Sequence, residues 1–160
     1  YTEQLLRTVA LKLRGIPSTE AGTQVLEDFL GENNIPSDGV HLYDGCGLSR
    51  HDAISAKAMS RLLSFNSKQK YFPSFLRSLW IAGDTTSIEN HRTFGLNTPV
   101  ARKAFIKDGY ISGVRSHSGY VRTKSGRLVS FSFIANNYNG GTGAIEKIHL
   151  ALMIKLAELP

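Results

Sequence analysis

The sequence has little of what several common protein classes require. Cys46 is its only cysteine, so an internal disulfide is impossible and zinc sites built from several cysteines are excluded. No apolar run approaches the roughly 20 residues that a membrane-spanning helix needs, and no signal peptide is visible. The net charge of +6 is scattered along the chain, without the stripe of basic and aromatic residues that binds single-stranded nucleic acid. We therefore expect no nucleic-acid partner and no cofactor.

The composition is that of an ordinary globular domain. The chain has 160 residues, 41% of them hydrophobic and 20% charged, and this length suffices to bury a core without disulfides or a metal. It begins with Tyr1, and the next residues already have helical character. We expect residues 1–160 to be one domain portion that begins inside a larger protein.

Hydrophobic residues at helical spacing predict five helices. The first, with Leu5, Leu6, Val9, Ala10 and Leu13 as a buried stripe, stops at Gly15 and Pro17. A second begins at Ser18 or Thr19 and runs to Gly31, and a third begins after Ser55 as its cap. The fourth follows Pro73, buries Trp80 and ends at Gly83. The last carries Ile145, Ile148, Leu152, Leu156 and Leu159 and is expected to lie deeply buried on a sheet.

The sheet is predicted from the alternating pattern between Lys103 and Asn136. Strands over Ala104–Lys107, Arg115–Thr123 and Leu128–Ala135 are separated by residues 108–113 and by a tight turn at 124–127. In the last strand Phe131 and Phe133 share a face with Val129 and Ala135, as expected when one face of a sheet packs on a core. The pattern favours an antiparallel meander covered by helices, an α+β fold.

Two polar segments are candidates for function. Residues 41–55 combine histidines, acids and glycines with Cys46, and allow three interpretations: a Cys46 nucleophile assisted by His41 or His51, a metal site that includes His51 and Asp52, or a glycine loop near a site. The third is favoured, because neighbours in sequence seldom supply a catalytic base or complete a metal site. Residues 84–100 lack periodicity and predict a long surface loop, with His91 and Arg92 as its candidates.

Two motifs resemble a known family. The segment Asp44–Arg50, DGCGLSR, is similar to the DGSGLSR segment of class C low-molecular-mass penicillin-binding proteins, the serine D-alanyl-D-alanine carboxypeptidase/endopeptidase family, with Cys46 in place of Ser. Farther along, Ile106–Gly109, Ser112–Ser116 and Gly119-Tyr120 resemble that family's KTG strand, the turn after it and the next strand. The order and separation of the two motifs make the match specific.

The resemblance implies a transpeptidase-like domain with a five-stranded antiparallel sheet and helices on both faces. Its site would use an S-x-x-K serine, an S-x-N motif and the KTG strand. No S-x-x-K precedes Asp44–Arg50, and Ser64-Phe65-Asn66 fits S-x-N by letters but in the wrong place. The family's nucleophile is therefore expected upstream of Tyr1.

Within this chain the resemblance assigns roles to one strand and one loop. Lys107 and Gly109 would be catalytic, and the backbone amide of Tyr110 would help form the oxyanion hole. Asp108 replaces the Thr that holds the substrate carboxylate, and two carboxylates about 4 Å apart repel each other by roughly 1 kcal/mol in water. The site-lining loop would contribute Asp44, Cys46, Ser49 and Arg50. The alternative is that Lys107 and Asp108 are only a strand end with a local ion pair.

The resemblance leaves three interpretations of function. The first is part of a carboxypeptidase of the periplasm or cell envelope that binds peptidoglycan stem peptides or β-lactams and is inactive as this chain. The second is a catalytically degenerate relative that binds wall peptides or a protein, and the third is a Cys46-dependent hydrolase. In the family the strand matching Leu128–Ala135 pairs with a strand from the N-terminal portion. We therefore also expect its edge to pair with another copy, to be covered by a helix or loop, or to make the chain poorly soluble.

Overall fold

A computed structural model of the chain describes residues 1–87 and 91–160. These residues form two compact units, Tyr1–Leu62 and Leu63–Pro160. The boundary falls within the helix over Ala56–Asn66, and the second unit contains the whole sheet.

The first unit is built on two helices, α1 (Thr2–Arg14) and α2 (Thr19–Glu32). The predicted ends are confirmed, because Gly15 adopts a left-handed conformation at φ 74° and the Ser18 hydroxyl accepts a hydrogen bond from the Ala21 amide at 3.0 Å. The predicted buried stripe of α1 is only partly right. Leu6 and Ala10 are buried, whereas the other members, Leu5, Val9 and Leu13, are exposed.

The next helices are α3 (Ala56–Asn66) and α4 (Phe72–Ser78). The predicted cap of α3 is confirmed by a 3.0 Å hydrogen bond from the Ala58 amide to the Ser55 hydroxyl. The prediction that the helix after Pro73 runs to Gly83 is wrong, because α4 ends at Ser78 and Trp80–Ile81 form a short strand, β1. Pairing of Trp80 and Ile81 with the next strand outweighs their helical spacing.

The sheet is an antiparallel meander. After β1 come β2 (Ala104–Ile111), β3 (Val114–Arg122) and β4 (Leu128–Asn136), in the order β1-β2-β3-β4. The predicted meander is confirmed, although β2 continues through residues 108–111, which the sequence reading placed in a connection. The turn is only Ser112-Gly113, with Gly113 at φ 81°. The described residues contain four strands where the resemblance implied five.

Helix α5 (Thr142–Ala157) packs on β3 and β4, as predicted. Its buried residues are His149, Met153 and Ala157, and the last two join a core that also contains Ala82, Val100, Ala104, Ile106, Val121 and Phe131. The expected deep burial is wrong, because Ile148 remains 55% exposed and Leu152 39% exposed. No helix among the described residues is long and apolar enough to cross a membrane.

Both faces of the sheet are packed within the second unit. Phe131 lies in the α5 core and Phe133 packs against it, which confirms the predicted inward face of β4. On the opposite face the Tyr120 ring contacts Phe72 and Phe75 of α4 edge-on, and its hydroxyl donates to the Leu63 carbonyl at 2.7 Å. The α+β fold class is thus confirmed. Self-association along β4, which ends the strand order, stays a prediction.

Candidate functional site

The alternation of β2 sends Lys107 and Asp108 to opposite faces of the sheet. Asp108 shares a face with Ile106, which lies in the α5 core. Gly109 shares the other face with Lys107, and a Cβ added to Gly109 would lie 2.8 Å from the Ser116 hydroxyl. Lys107 is exposed, and its ammonium donates to the backbone carbonyl of Asp108 at 2.6 Å. We call the side of the sheet that carries Lys107 and Gly109 the Lys107 face.

The carboxylate of Asp108 is held by side chains from three other segments. One oxygen, Oδ2, accepts a hydrogen bond from Arg115 at 2.7 Å. The other, Oδ1, accepts from the Trp80 indole at 3.2 Å and lies 3.4 Å from His91 Nε2. Its main partner, Arg115, also reaches Glu146 on α5, with Nε 3.0 Å and Nη2 2.8 Å from the same carboxylate oxygen. Trp80, His91, Asp108, Arg115 and Glu146 are called the Asp108 cluster below.

This cluster keeps Asp108 ionised. Burial alone would raise the pKa of its carboxyl, but the hydrogen bond and positive charge of Arg115 outweigh burial, and the pKa lies below its usual value. A cavity of about 570 Å³ borders the cluster, lined by His91, Asp108, Tyr110, Arg115, Thr142 and Glu146. The ion pairs thus connect the face of the sheet opposite Lys107 to the first turns of α5.

The loop predicted over residues 84–100 contributes one of its two candidates to this cluster. The His91 ring stacks on Trp80, with centroids 4.2 Å apart and planes 4° from parallel. Arg92 instead donates to the Ser87 carbonyl at 2.9 Å. The segment is more than a surface loop, because Val100 is fully buried. Residues 88–90 of the predicted loop lie outside the described residues.

The second unit contains a pair of buried histidines that was not predicted from the sequence. His117 on β3 and His149 on α5 face each other with their Nδ1 atoms 2.9 Å apart, so one ring donates to the other. Burial lowers the pKa of His117 to about 3, with the charge of Arg115 acting in the same direction. The burial of His117 could have been predicted from the alternation of β3, because His117 shares a face of the strand with the buried Val121.

Among the described residues, β1 is the strand that pairs with the outer edge of β2. The two residues of β1 pair only with Phe105 and Ile106. The Ala104 carbonyl points away from β3, since it accepts from the Ala82 amide at 3.0 Å. In an antiparallel ladder the N–H and C=O of every second residue point the same way, so those of Tyr110 also point away from β3. Its ring is exposed.

The loop Asp44–Arg50 belongs to the first unit and is organised by backbone amides. The carboxylate of Asp44 accepts hydrogen bonds from the amides of Gly47, Leu48 and Ser49, the last at 2.7 Å. The hydrogen bonds from Gly47 and Ser49 outweigh desolvation and lower the pKa of Asp44. Glu3 of α1 accepts from the amides of Gly45 at 2.6 Å and Cys46 at 2.9 Å. The loop is therefore held by its own backbone and by α1.

Cys46 has the surroundings of a poor nucleophile. Its thiol is exposed and lies 3.5 Å from an Asp44 oxygen. A hydrogen bond from the Leu48 amide favours the thiolate, but desolvation and the nearby Asp44 and Glu3 outweigh it, so the pKa of the thiol is raised. Atoms of Glu3, Asp44 and Cys46 lie within 4.8 Å of one another, yet the carboxylates already accept backbone hydrogen bonds.

The other residues proposed from this segment have local roles. Asp52, considered as a metal ligand, accepts from the Tyr43 amide at 2.7 Å, and desolvation raises its pKa. The backbones of His41 and Ala53 form an isolated bridge. Ser49 accepts from the His51 amide at 3.2 Å, and Arg50 is exposed. That this loop lines a site together with β2 stays a prediction.

Two serine motifs that fit by letters occur around the end of α3. Ser64 and Asn66 of the S-x-N spacing lie in its last turn, and Asn66 accepts from the Tyr71 hydroxyl at 2.7 Å. Ser67 and Lys70 fit S-x-x-K, a spacing that brings serine and lysine together when both lie on one helix. Here they lie beyond α3, and the Ser67 hydroxyl donates to the Ser64 carbonyl at 2.7 Å.

Comparison with known proteins gives a consistent result. The family model of D-Ala-D-Ala carboxypeptidase 3 (S13) matches residues 1–156. A D-alanyl-D-alanine carboxypeptidase of Actinomadura sp. (strain R39) is 27% identical over 160 residues, which are 99% of this chain and 29% of that protein. The carboxypeptidase DacB of Haemophilus influenzae is 26% identical over 140 residues, which are 87% of this chain and 29% of that protein.

The fold agrees with solved structures as well. Penicillin-binding protein 4 of Haemophilus influenzae, in complex with a β-lactam, superposes with a TM-score of 0.87 at 24% identity and covers 99% of this chain, which matches 38% of that one. The chain therefore spans about three-tenths of the length of the curated relatives that it matches. The resemblance drawn from Asp44–Arg50 and Ile106–Gly109 is confirmed, and the chain belongs to the D-Ala-D-Ala carboxypeptidase 3 (S13) family.

Proposed function

We propose that this chain forms part of a serine-type D-alanyl-D-alanine carboxypeptidase/endopeptidase that acts on peptidoglycan stem peptides. The observation that carries the proposal is the geometry of β2, which presents an exposed Lys107 side chain and directs the Tyr110 amide away from β3. The match of the family over residues 1–156 supports the same reaction class. The nucleophilic serine would come from polypeptide outside this chain, which we expect to be inactive alone.

Each residue of the strand has a distinct role in this proposal. The Lys107 ammonium would exchange its contact with the Asp108 carbonyl for the substrate or the serine. Gly109 leaves room at the strand, since a Cβ there would press on Ser116 and narrow the approach of a peptide. The Tyr110 amide would donate to the oxyanion, a role that is independent of its side chain.

The chemistry proceeds in two steps. The serine oxygen bonds to the carbonyl carbon of the penultimate D-Ala, and the peptide bond to the terminal D-Ala breaks, with a proton passing to the leaving amine. Water then attacks the ester, and the serine regains its proton. A β-lactam would follow only the first step, because its opened ring stays attached to the acyl group.

The test is covalent labelling by a fluorescent penicillin. The full-length gene product should be labelled on one serine and the 160-residue chain should not. In the full-length protein Lys107→Ala should slow labelling by about a hundredfold, whereas Lys103→Ala, a change at another exposed lysine, should not. A labelled 160-residue chain would refute the expected inactivity, and equal rates for the two variants would refute the role of Lys107.

A second candidate is a degenerate relative that binds wall peptides or a protein partner without hydrolysis. Asp108 favours it, because a carboxylate in an ion pair replaces the hydroxyl that the family uses to hold the substrate. Under this alternative the full-length protein shows no adduct by intact-mass spectrometry but binds D-Ala-D-Ala peptides. Either function places the protein in the periplasm or cell envelope, where its substrate lies.

A further inference from the structure

Asp108 carries a negative charge next to Lys107 in the chain. The Lys107 ammonium donates to the Asp108 backbone carbonyl at 2.6 Å, and its charge is one of those that lower the pKa of the Asp108 carboxyl, so the two charges interact. A lone negative charge there would weaken Lys107 as a binding site for anionic ligands. The two side chains lie on opposite faces, so the carboxylate would act through its field and not by contact.

Arg115 is placed to cancel this field. Its Nη1 donates to Asp108 at 2.7 Å and lies 3.4 Å from the Gly109 carbonyl, while Nε and Nη2 bind Glu146. Arg115 is 11% exposed and Asp108 19%, so solvent screens the pair only partly. One guanidinium thus serves two carboxylates, and Glu146 competes with Asp108 for it.

We propose that Arg115 is a positioning residue that admits anionic ligands to the Lys107 face by compensating the Asp108 carboxylate. The proposal rests on the proposed function, because the ligands in question are β-lactams and peptides with a terminal carboxylate. It separates two roles of the same side chain. As a structural link between β3 and α5, Arg115 needs Glu146; as a compensating charge, it needs only Asp108.

The experiment measures the second-order rate of acylation of the full-length protein by benzylpenicillin, which is an anion. Arg115→Gln should lower this rate about tenfold, and the deficit should shrink in 1 M salt, where the screening length falls to about 3 Å. Arg115→Lys, which keeps the charge, should remain within about threefold of the wild type. Folding of each variant is checked by circular dichroism and by its thermal unfolding.

Two further variants distinguish the role of Arg115 as a compensating charge for Asp108 from its role as a structural link to Glu146. Asp108→Asn combined with Arg115→Gln should recover to within about threefold of the wild type, and Glu146→Gln should equal or exceed it. The inference is overturned if Glu146→Gln falls as far as Arg115→Gln, or if the double variant does not recover. A wild type that is neither acylated nor able to bind a D-Ala-D-Ala peptide overturns the proposed function and this inference with it.

Discussion

The loop Asp44–Arg50 and the strand β2 each organise their surroundings around one aspartate, but with different partners. Asp44 lies in a largely exposed loop and accepts from amides three to five residues ahead of it. Asp108 is held by Arg115, seven residues away in sequence, and by Trp80, 28 residues away. The first arrangement needs only a local turn, whereas the second exists only when strands and helix have assembled. We therefore expect the two regions to respond differently to mutation.

The largest effect is expected from Arg115→Gln. The change leaves Asp108 and Glu146 without their shared cation in a largely buried place, and should lower the free energy of unfolding by about 3 kcal/mol. Urea unfolding followed by Trp80 fluorescence measures it. Arg122→Gln is the matched control, because Arg122 lies on the same strand but donates to a carbonyl at the surface. If the two substitutions lowered the free energy of unfolding equally, the Asp108 ion pair would stabilise the fold no more than a local contact does.

The second largest effect is expected in acid, which should lower the free energy of unfolding of the second unit. The pKa of His117 is about 3 in the folded protein and near 6.5 when unfolded, so only the unfolded chain gains the proton as the pH falls below 6.5. The free energy of unfolding should drop by about 2 kcal/mol between pH 6.5 and pH 5. Asp108, whose pKa is lowered, adds a loss only below its unfolded value of 3.8.

The control for this pH dependence is a variant without the buried pair. His117→Phe combined with His149→Leu should flatten the profile above pH 5, whereas His51→Gln, a change at an exposed histidine, should leave it as it is. A wild-type stability that stays constant from pH 6.5 to pH 5 would show that the pair accepts a proton without cost.

A smaller effect is expected in the loop. Asp44→Ala removes the acceptor of three amides near solvent, where water replaces it in part, so the cost should be about 1 kcal/mol. Hydrogen exchange at Leu48 and Ser49 should accelerate about tenfold, while Asp38→Ala should not affect these amides. Unchanged exchange would mean that the loop keeps its shape without its aspartate.

The smallest effect is expected at Cys46. Cys46→Ser should leave the urea midpoint of unfolding unchanged, because the thiol is exposed. Its raised pKa also predicts slow alkylation by iodoacetamide at pH 7. Fast alkylation that abolished a hydrolytic activity would revive the hypothesis of a Cys46-dependent hydrolase.

The sequence predicted well wherever the determinants are local. Gly15 ends α1, Ser18 and Ser55 cap their helices, and the alternation of Phe131 and Phe133 gives the inward face of β4. The prediction was wrong where residues distant in the sequence determine the local structure. Trp80 joins a strand because Ile106 pairs with it, and β2 continues past Lys107 because residues 108–111 pair with β3.

The candidate site divides in the same way. The family motif around Lys107 and Gly109 could be recognised from the sequence, because the residues of such a motif are adjacent in the chain. Three contacts could not be predicted from the sequence. They are the hydrogen bond from Arg115 to Asp108, the stacking of His91 on Trp80, and the contact between His117 and His149. A strand's period of two assigns a face to each residue, but only the packed sheet and α5 decide which charges and rings share it. Local hydrogen bonds and spacing are fixed by the sequence alone, whereas ion pairs between distant segments depend on the assembled fold.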